Sequence, residues 1–229
     1  HLDHSGLLPL LVHKGFTGPI YCTRATAHLL RVMLEDSAGL YLKDLEYENL
    51  RRKRRGDKLL QASYSKRDVQ RVLKMCEPIR YKECLPLGDG CSVCFHDAGH
   101  ILGSAIVELK FRDNGKDKTL VFSGDLGKSG SVLMNNPATL THADLVLMEG
   151  TYGNRNHRSE PDTLAQLETI LHETWTSKGN VMIPAFAVGR TQELLYHLGT
   201  LHNAGKLDNW EVYLDSPMAI EVTSIYESC

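Results

Sequence analysis

The chain has 229 residues, 42% hydrophobic and 24% charged, with 26 Lys and Arg against 28 Asp and Glu for a formal charge of −2. This is the balance of a globular chain with a real core, long enough for one large domain or one and a half ordinary ones. No apolar run in these residues approaches the roughly 18 residues of a membrane span. The charge argues neither for nor against nucleic acid, because a polyanion-binding enzyme can be near neutral if its cations cluster at the site.

Residues 19–23 read as a strand, followed by a helix over about 25–35 in which Ala27, Leu30, Val32 and Leu34 supply a broad apolar face. Residues 41–75 are rich in Lys, Arg and Glu and read as helical in at least two pieces. Ser65 is placed to cap the helix that contains Val69, Val72 and Leu73. From Cys91 the pattern changes to consecutive strands at 92–98, 105–111 and 119–123. Asp113-Asn114-Gly115 supplies hairpin-turn chemistry between the last two. Residues 145–148 read as a buried-type strand ending at Glu149. Helix, strand and helix follow at about 161–177, 180–184 and 189–204. A final strand at 211–214 runs into Asp215-Ser216-Pro217 and a helix that continues to Cys229. The class is mixed α/β. Six cysteines do not make a disulfide framework, and a reducing cytoplasm is expected.

His1-Leu2-Asp3-His4 places three metal-ligand types in four residues. Imidazole and carboxylate suit zinc or a similar divalent ion, and two ions need about seven or eight protein ligands. His100 lies in Asp97-Ala98-Gly99-His100-Ile101-Leu102-Gly103-Ser104, a small-residue turn between strands. Asp125 lies in Ser123-Gly124-Asp125-Leu126-Gly127, a strand end between glycines, where a carboxylate can bridge two metals. Each piece alone has a plainer explanation: a chance tetrapeptide, a hydrogen-bonded loop histidine, a turn aspartate. The ordered set is far more specific. Termini fray unless tied down, so a site at residue 1 implies a longer enzyme.

These motifs resemble the metallo-β-lactamase superfamily, and within it the β-CASP nucleases. His1, Asp3 and His4 match the last three ligands of the motif HxHxDH, whose first histidine would precede residue 1. His100 and Asp125 match the third-motif histidine and the bridging aspartate. Glu149, in Glu149-Gly150-Thr151-Tyr152-Gly153-Asn154-Arg155, matches the acidic residue that the β-CASP branch adds. Residues 183–195 look like the opening of the inserted β-CASP domain. The resemblance covers nearly the whole chain, and is closest to bacterial RNA-processing exonuclease-like proteins and the endonuclease subunit that cleaves pre-mRNA 3′ ends.

The fold it implies is a partial αββα sandwich over 1–150, lacking its N-terminal part, and the first part of a β-CASP α/β domain over 151–229. The implied activity is RNA phosphodiester hydrolysis by a metal-activated hydroxide at a two-zinc site. His1 and His100 would hold one zinc and His4 the other, with Asp125 bridging them. Asp3 would bind the second ion and accept the proton of the attacking water, and Glu149 would orient a leaving-group histidine beyond Cys229. Three family histidines fall outside the 229 residues, so this stretch alone is expected to bind metal weakly and be inactive. Single-stranded RNA is the expected partner and a membrane is not; homo-oligomerisation is compatible with the pattern.

Arg51-Arg52-Lys53-Arg54-Arg55 is the only strongly basic run, either a phosphate-binding cluster or a solvated helix face. Arg190 follows Gly189 at an expected helix start, where an anion is favoured, and is a candidate for phosphate. Strand alternation explains the spacing of Cys91 and Cys94. His13, His28, His96, His142, His157, His172, His197 and His202 read as surface or core residues. Two other functions compete. Small-molecule hydrolases of the same fold lack the Glu149 motif and the inserted domain. A non-catalytic scaffold subunit would not need His1, Asp3, His4, His100 and Asp125.

Overall fold

A computed structural model describes residues 1–156 and 158–229; His157 lies outside the described residues. Two short helices, α1 (Leu2–Ser5) and α2 (Leu8–His13), precede strand β1 (Ile20–Thr23) and the long helix α3 (Arg24–Arg55). The expected break after residue 35 does not occur. Residues 36–40 contain no proline, and Gly39 costs a helix interior only about 1 kcal/mol relative to alanine. Termination comes at Gly56, which adopts a left-handed conformation. There Gly56 N–H donates to the Lys53 carbonyl and Asp57 N–H to that of Arg52, the hydrogen-bond pattern of a Schellman stop.

Helix α4 (Lys66–Met75) starts at Ser65 as expected. Strand β2 (Cys76–Ile79), which has no alternating pattern, then pairs in parallel with β1. The second sheet has the order β3 (Cys84–Gly88), β4 (Cys91–Asp97), β5 (Ala105–Asp113), β6 (Lys116–Phe122), β7 (Leu145–Leu147). Its first four strands are antiparallel neighbours, and β7 joins β6 in parallel. Asp113 pairs with Lys116, leaving Asn114 and Gly115, both at positive φ, as the two-residue turn expected there.

Three further structural findings depart from the sequence expectations. Residues 145–148 are about half exposed rather than buried, because β7 is an edge strand paired only with β6. Residues 180–184 and 211–214 are not in strands. Cys84 and Cys94 are joined by a disulfide; they face each other directly across β3 and β4, a pairing that a cysteine count does not reveal.

Helix α3 lies between two apolar layers. Leu30, Leu34 and Ala38 pack on Val12 of α2 and on Val69 and Val72 of α4. Leu29, Val32 and Met33 pack on Val222 and Ile225 of α7 (Pro217–Ser228). Burying a side chain such as Leu34 stabilises the fold by about 2 kcal/mol. Helices α5 (Glu160–Thr176) and α6 (Arg190–Asn203) complete the chain. Among the described residues no helix is long and apolar enough to cross a membrane.

Candidate metal centre

Three loops bring the site together. His1 is the N-cap of α1 and His4 lies within it. Residues three apart on a helix share a face, and the two rings are 4.5 Å apart between centroids. Asp3, at about 200° from His1 on the same wheel, points away. Its side chain is 84% exposed, with its nearest approach to His1 Nδ1 at 3.6 Å.

His100 is carried by the turn between β4 and β5. The Ser104 hydroxyl accepts the N–H groups of His100 and Ile101, while Thr23 and Thr26 at the start of α3 donate to the Gly103 carbonyl. Asp125 follows β6. Gly127 N–H donates to the Ala98 carbonyl, and a Cβ on Gly127 would lie 1.7 Å from the Gly99 carbonyl oxygen. The backbones bearing His100 and Asp125 are therefore in direct contact, and only glycine permits that approach.

The three imidazoles converge on one carboxylate. His1 Nε2 is 2.5 Å from Asp125 Oδ2, His4 Nε2 is 3.6 Å from Oδ1, and His100 Nε2 is 3.8 Å from Oδ2. Among the described residues, His1, His4 and Asp125 form a group whose donor atoms all lie within 4.8 Å of one another. Tetrahedral zinc with ligands at about 2.1 Å separates those ligands by roughly 3.4 Å. The two longer contacts approach that spacing, and the His1–Asp125 hydrogen bond is one that a cation would replace. The donor set, nitrogen and oxygen without sulfur, suits zinc.

Glu149 borders this group. Its Oε1 accepts the N–H of Leu126, adjacent to Asp125, at 2.5 Å, and its Oε2 accepts the Thr151 hydroxyl at 2.7 Å. The Leu126 bond, then that of Thr151, hold the Glu149 carboxyl below its ordinary pKa, so at neutral pH it is an acceptor. Arg190 lies at the start of α6, 63% exposed, with its guanidinium 2.7 Å from Glu193.

A model of the Beta-Casp domain matches residues 191–229. Over 226 residues the chain is 41% identical to ribonuclease TTHA0252 of Thermus thermophilus, a match covering 99% of this chain and 47% of that protein. Over 230 residues it is 35% identical to transcription termination factor FttA of Methanosarcina mazei, covering 99% of this chain and 33% of that factor. These matches support the β-CASP nuclease family. Its mixed α/β architecture is consistent with the metallo-β-lactamase fold with an inserted β-CASP domain. FttA of Pyrococcus abyssi is 34% identical, also over 99% of the chain and 33% of the factor. The chain thus spans between a third and about half the length of these relatives.

Sequence reasoning brings His1, His4, His100 and Asp125 to one point but misses what holds them. Ser104, Thr23 and Thr26 fix the His100 turn, and Ser123 Oγ accepts the N–H of Glu149. Lys128 links the Asp125 loop to Glu160 of α5 at 2.8 Å and to Glu193 of α6 at 3.5 Å. The one signal for these residues is their adjacency to the motifs.

Proposed function

We propose that the protein is a zinc-dependent ribonuclease acting on single-stranded RNA, with His1, His4, His100 and Asp125 as metal ligands. Convergence of three imidazoles on one half-buried carboxylate carries this reading, in a chain similar along 99% of its length to a protein named ribonuclease. On this reading His1, His100, His4 and Asp125 would hold the zinc, His1 and His100 toward one ion and His4 toward the second. Zinc held there would supply Lewis acidity, acidifying the attacking water and offsetting charge on the phosphate oxygens.

The chain's own groups do the rest. Asp3, exposed and turned outward beside His1, would take the proton of the attacking water and complete the second ion's shell once its side chain rotates inward. Glu149 acts as a positioning residue: its bond to Leu126 N–H fixes the backbone next to Asp125, and in the family's pattern it would also orient a leaving-group histidine. Arg190 would contact a phosphate of the RNA. Residues 1–150 would belong to the metallo-β-lactamase domain and residues 151–229 would open the β-CASP domain.

The test is cleavage of single-stranded RNA by the protein at its natural length, with bound zinc measured in parallel. Chelation should abolish cleavage and zinc should restore it. Undiminished cleavage by metal-stripped protein would sink the reading.

A further inference from the structure

Helix α3 joins the candidate site to a distant cationic surface. Its N-terminal Thr23 and Thr26 are tied to the His100 turn, and its 32 residues extend about 48 Å at about 1.5 Å per residue. Over residues 50–58 at the far end, Arg51, Arg52, Lys53, Arg54, Arg55 and Lys58 stand against one carboxylate, Asp57. Successive helical residues advance by about 100°, so five cations in a row encircle the helix.

Cations in a last turn complement the helix dipole, but that does not require a full collar. Arg51 and Arg52 share Glu48. The side chains of Lys53, Arg54 and Arg55 are exposed, with no hydrogen-bond or ion-pair partner among the described residues. Like charges three and four residues apart on a helix repel each other, a cost that a bound polyanion would reverse. One turn before Arg51, on the same face, Tyr47 is 67% exposed. An aromatic face beside a row of cations is the arrangement that binds single-stranded nucleic acid, by stacking a base while the cations meet phosphates.

We infer that the tip of α3 is a second RNA-binding site, in which the cationic collar meets phosphates and Tyr47 stacks on a base. This rests on the ribonuclease reading above. At a stacked rise of about 3.4 Å per nucleotide, a strand linking the tip to the metal centre needs roughly 14 nucleotides, fewer if extended. Short RNAs reach only the centre; long ones engage both.

The test uses the natural-length, zinc-loaded protein with single-stranded RNAs of about 6 and about 30 nucleotides. Lys53→Ala/Arg54→Ala/Arg55→Ala should raise KM about 10-fold for the long RNA and leave the short one unchanged. The slope of log Kd against log salt for the long RNA should fall by about 2, the value for three phosphate contacts on a single strand. Alanine maintains the helix, and equal melting temperatures confirm it. The Lys53→Arg/Arg54→Lys/Arg55→Lys variant should keep the long-RNA advantage. Tyr47→Ala should weaken long-RNA binding about 10-fold without altering the salt slope.

An equal effect of the triple alanine variant on both lengths, or none on either, overturns the second site. So does a tip that binds an acidic polypeptide as tightly as the long RNA while Tyr47→Ala has no effect. If the wild-type protein cleaves neither RNA, the ribonuclease reading itself has failed, a result separate from these.

Discussion

Histidine meets carboxylate both at Asp68 and at Asp125, and the difference between these two groupings separates a structural pair from a cation site. Asp68 is buried. It accepts Ser65 N–H at 2.9 Å, Ser65 Oγ–H at 2.8 Å, His13 Nδ1–H at 3.1 Å and an Arg71 N–H at 3.4 Å. Burial pushes its pKa up, but the bonds from Ser65 and His13 outweigh that and hold it at about 2. Four donors, three of them on Oδ2, hold this carboxylate in place. Asp125 has one contact at hydrogen-bond distance, from His1, and two further imidazoles beyond that range. A carboxylate ringed by acceptor-capable nitrogens, with few committed donors, offers its charge to a cation.

Swapping the perturbation between the two sites gives the largest expected contrast. Asp125→Ala should lower RNA cleavage by about 1,000-fold or more and remove bound zinc, read by initial rates and metal content. Asp68→Ala should leave both unchanged. Loss of cleavage with full zinc retention in Asp125→Ala would contradict its assignment as a ligand.

Gly127→Ala attacks the scaffold of the Asp125 site. The added methyl would sit 1.7 Å from the Gly99 oxygen, so the two ligand loops must separate. Destabilisation of about 3 kcal/mol is expected, with weakened zinc binding, measured by denaturant unfolding and metal titration. A variant as stable as the parent would show that the loops are not in contact.

Asp68→Ala should cost about 2–3 kcal/mol, because Ser65 and His13 lose their acceptor. The pH dependence has a definite sign. The ordinary carboxyl titrates at 3.8 and the folded one at about 2, so Asp68 stabilises fully above about pH 4 and loses that contribution as the pH falls through 2. The loss amounts to about 2 kcal/mol. Unfolding curves from pH 5 to 2 should be flatter for Asp68→Asn by that amount, and parallel curves would refute the assignment.

How far these features are legible in the sequence depends on where each element's hydrogen bonds are made. Helices close their own, so α5, α6 and α7 form close to the positions that periodicity indicates, and α3 only runs further than its apolar pattern. Strands need a neighbour. The stretch 92–123 is legible because alternation and the Asn114-Gly115 turn bring its strands together in order. Residues 180–184 and 211–214 have strand-like composition but no paired neighbour among the described residues. The site follows the same logic. His1, His4, His100 and Asp125 are recognisable from their local motifs, but the phase that turns Asp3 outward, the Gly127–Gly99 contact and the Lys128 bridge depend on long-range packing.

The smallest expected effect concerns Arg190. Its guanidinium is mostly exposed and bonded to Glu193, which also faces Lys128. An exposed pair of this kind contributes at most about 1 kcal/mol, so Arg190→Ala should barely change the melting temperature. If Arg190 meets an RNA phosphate, the variant should raise KM a few-fold and reduce the salt slope of binding by about 0.7. Glu193 competes for the same guanidinium, so Glu193→Gln should free it and lower KM. Opposite movements of KM in the two variants mark a phosphate contact, whereas unchanged KM in both would confine Arg190 to its ion pair at the start of α6.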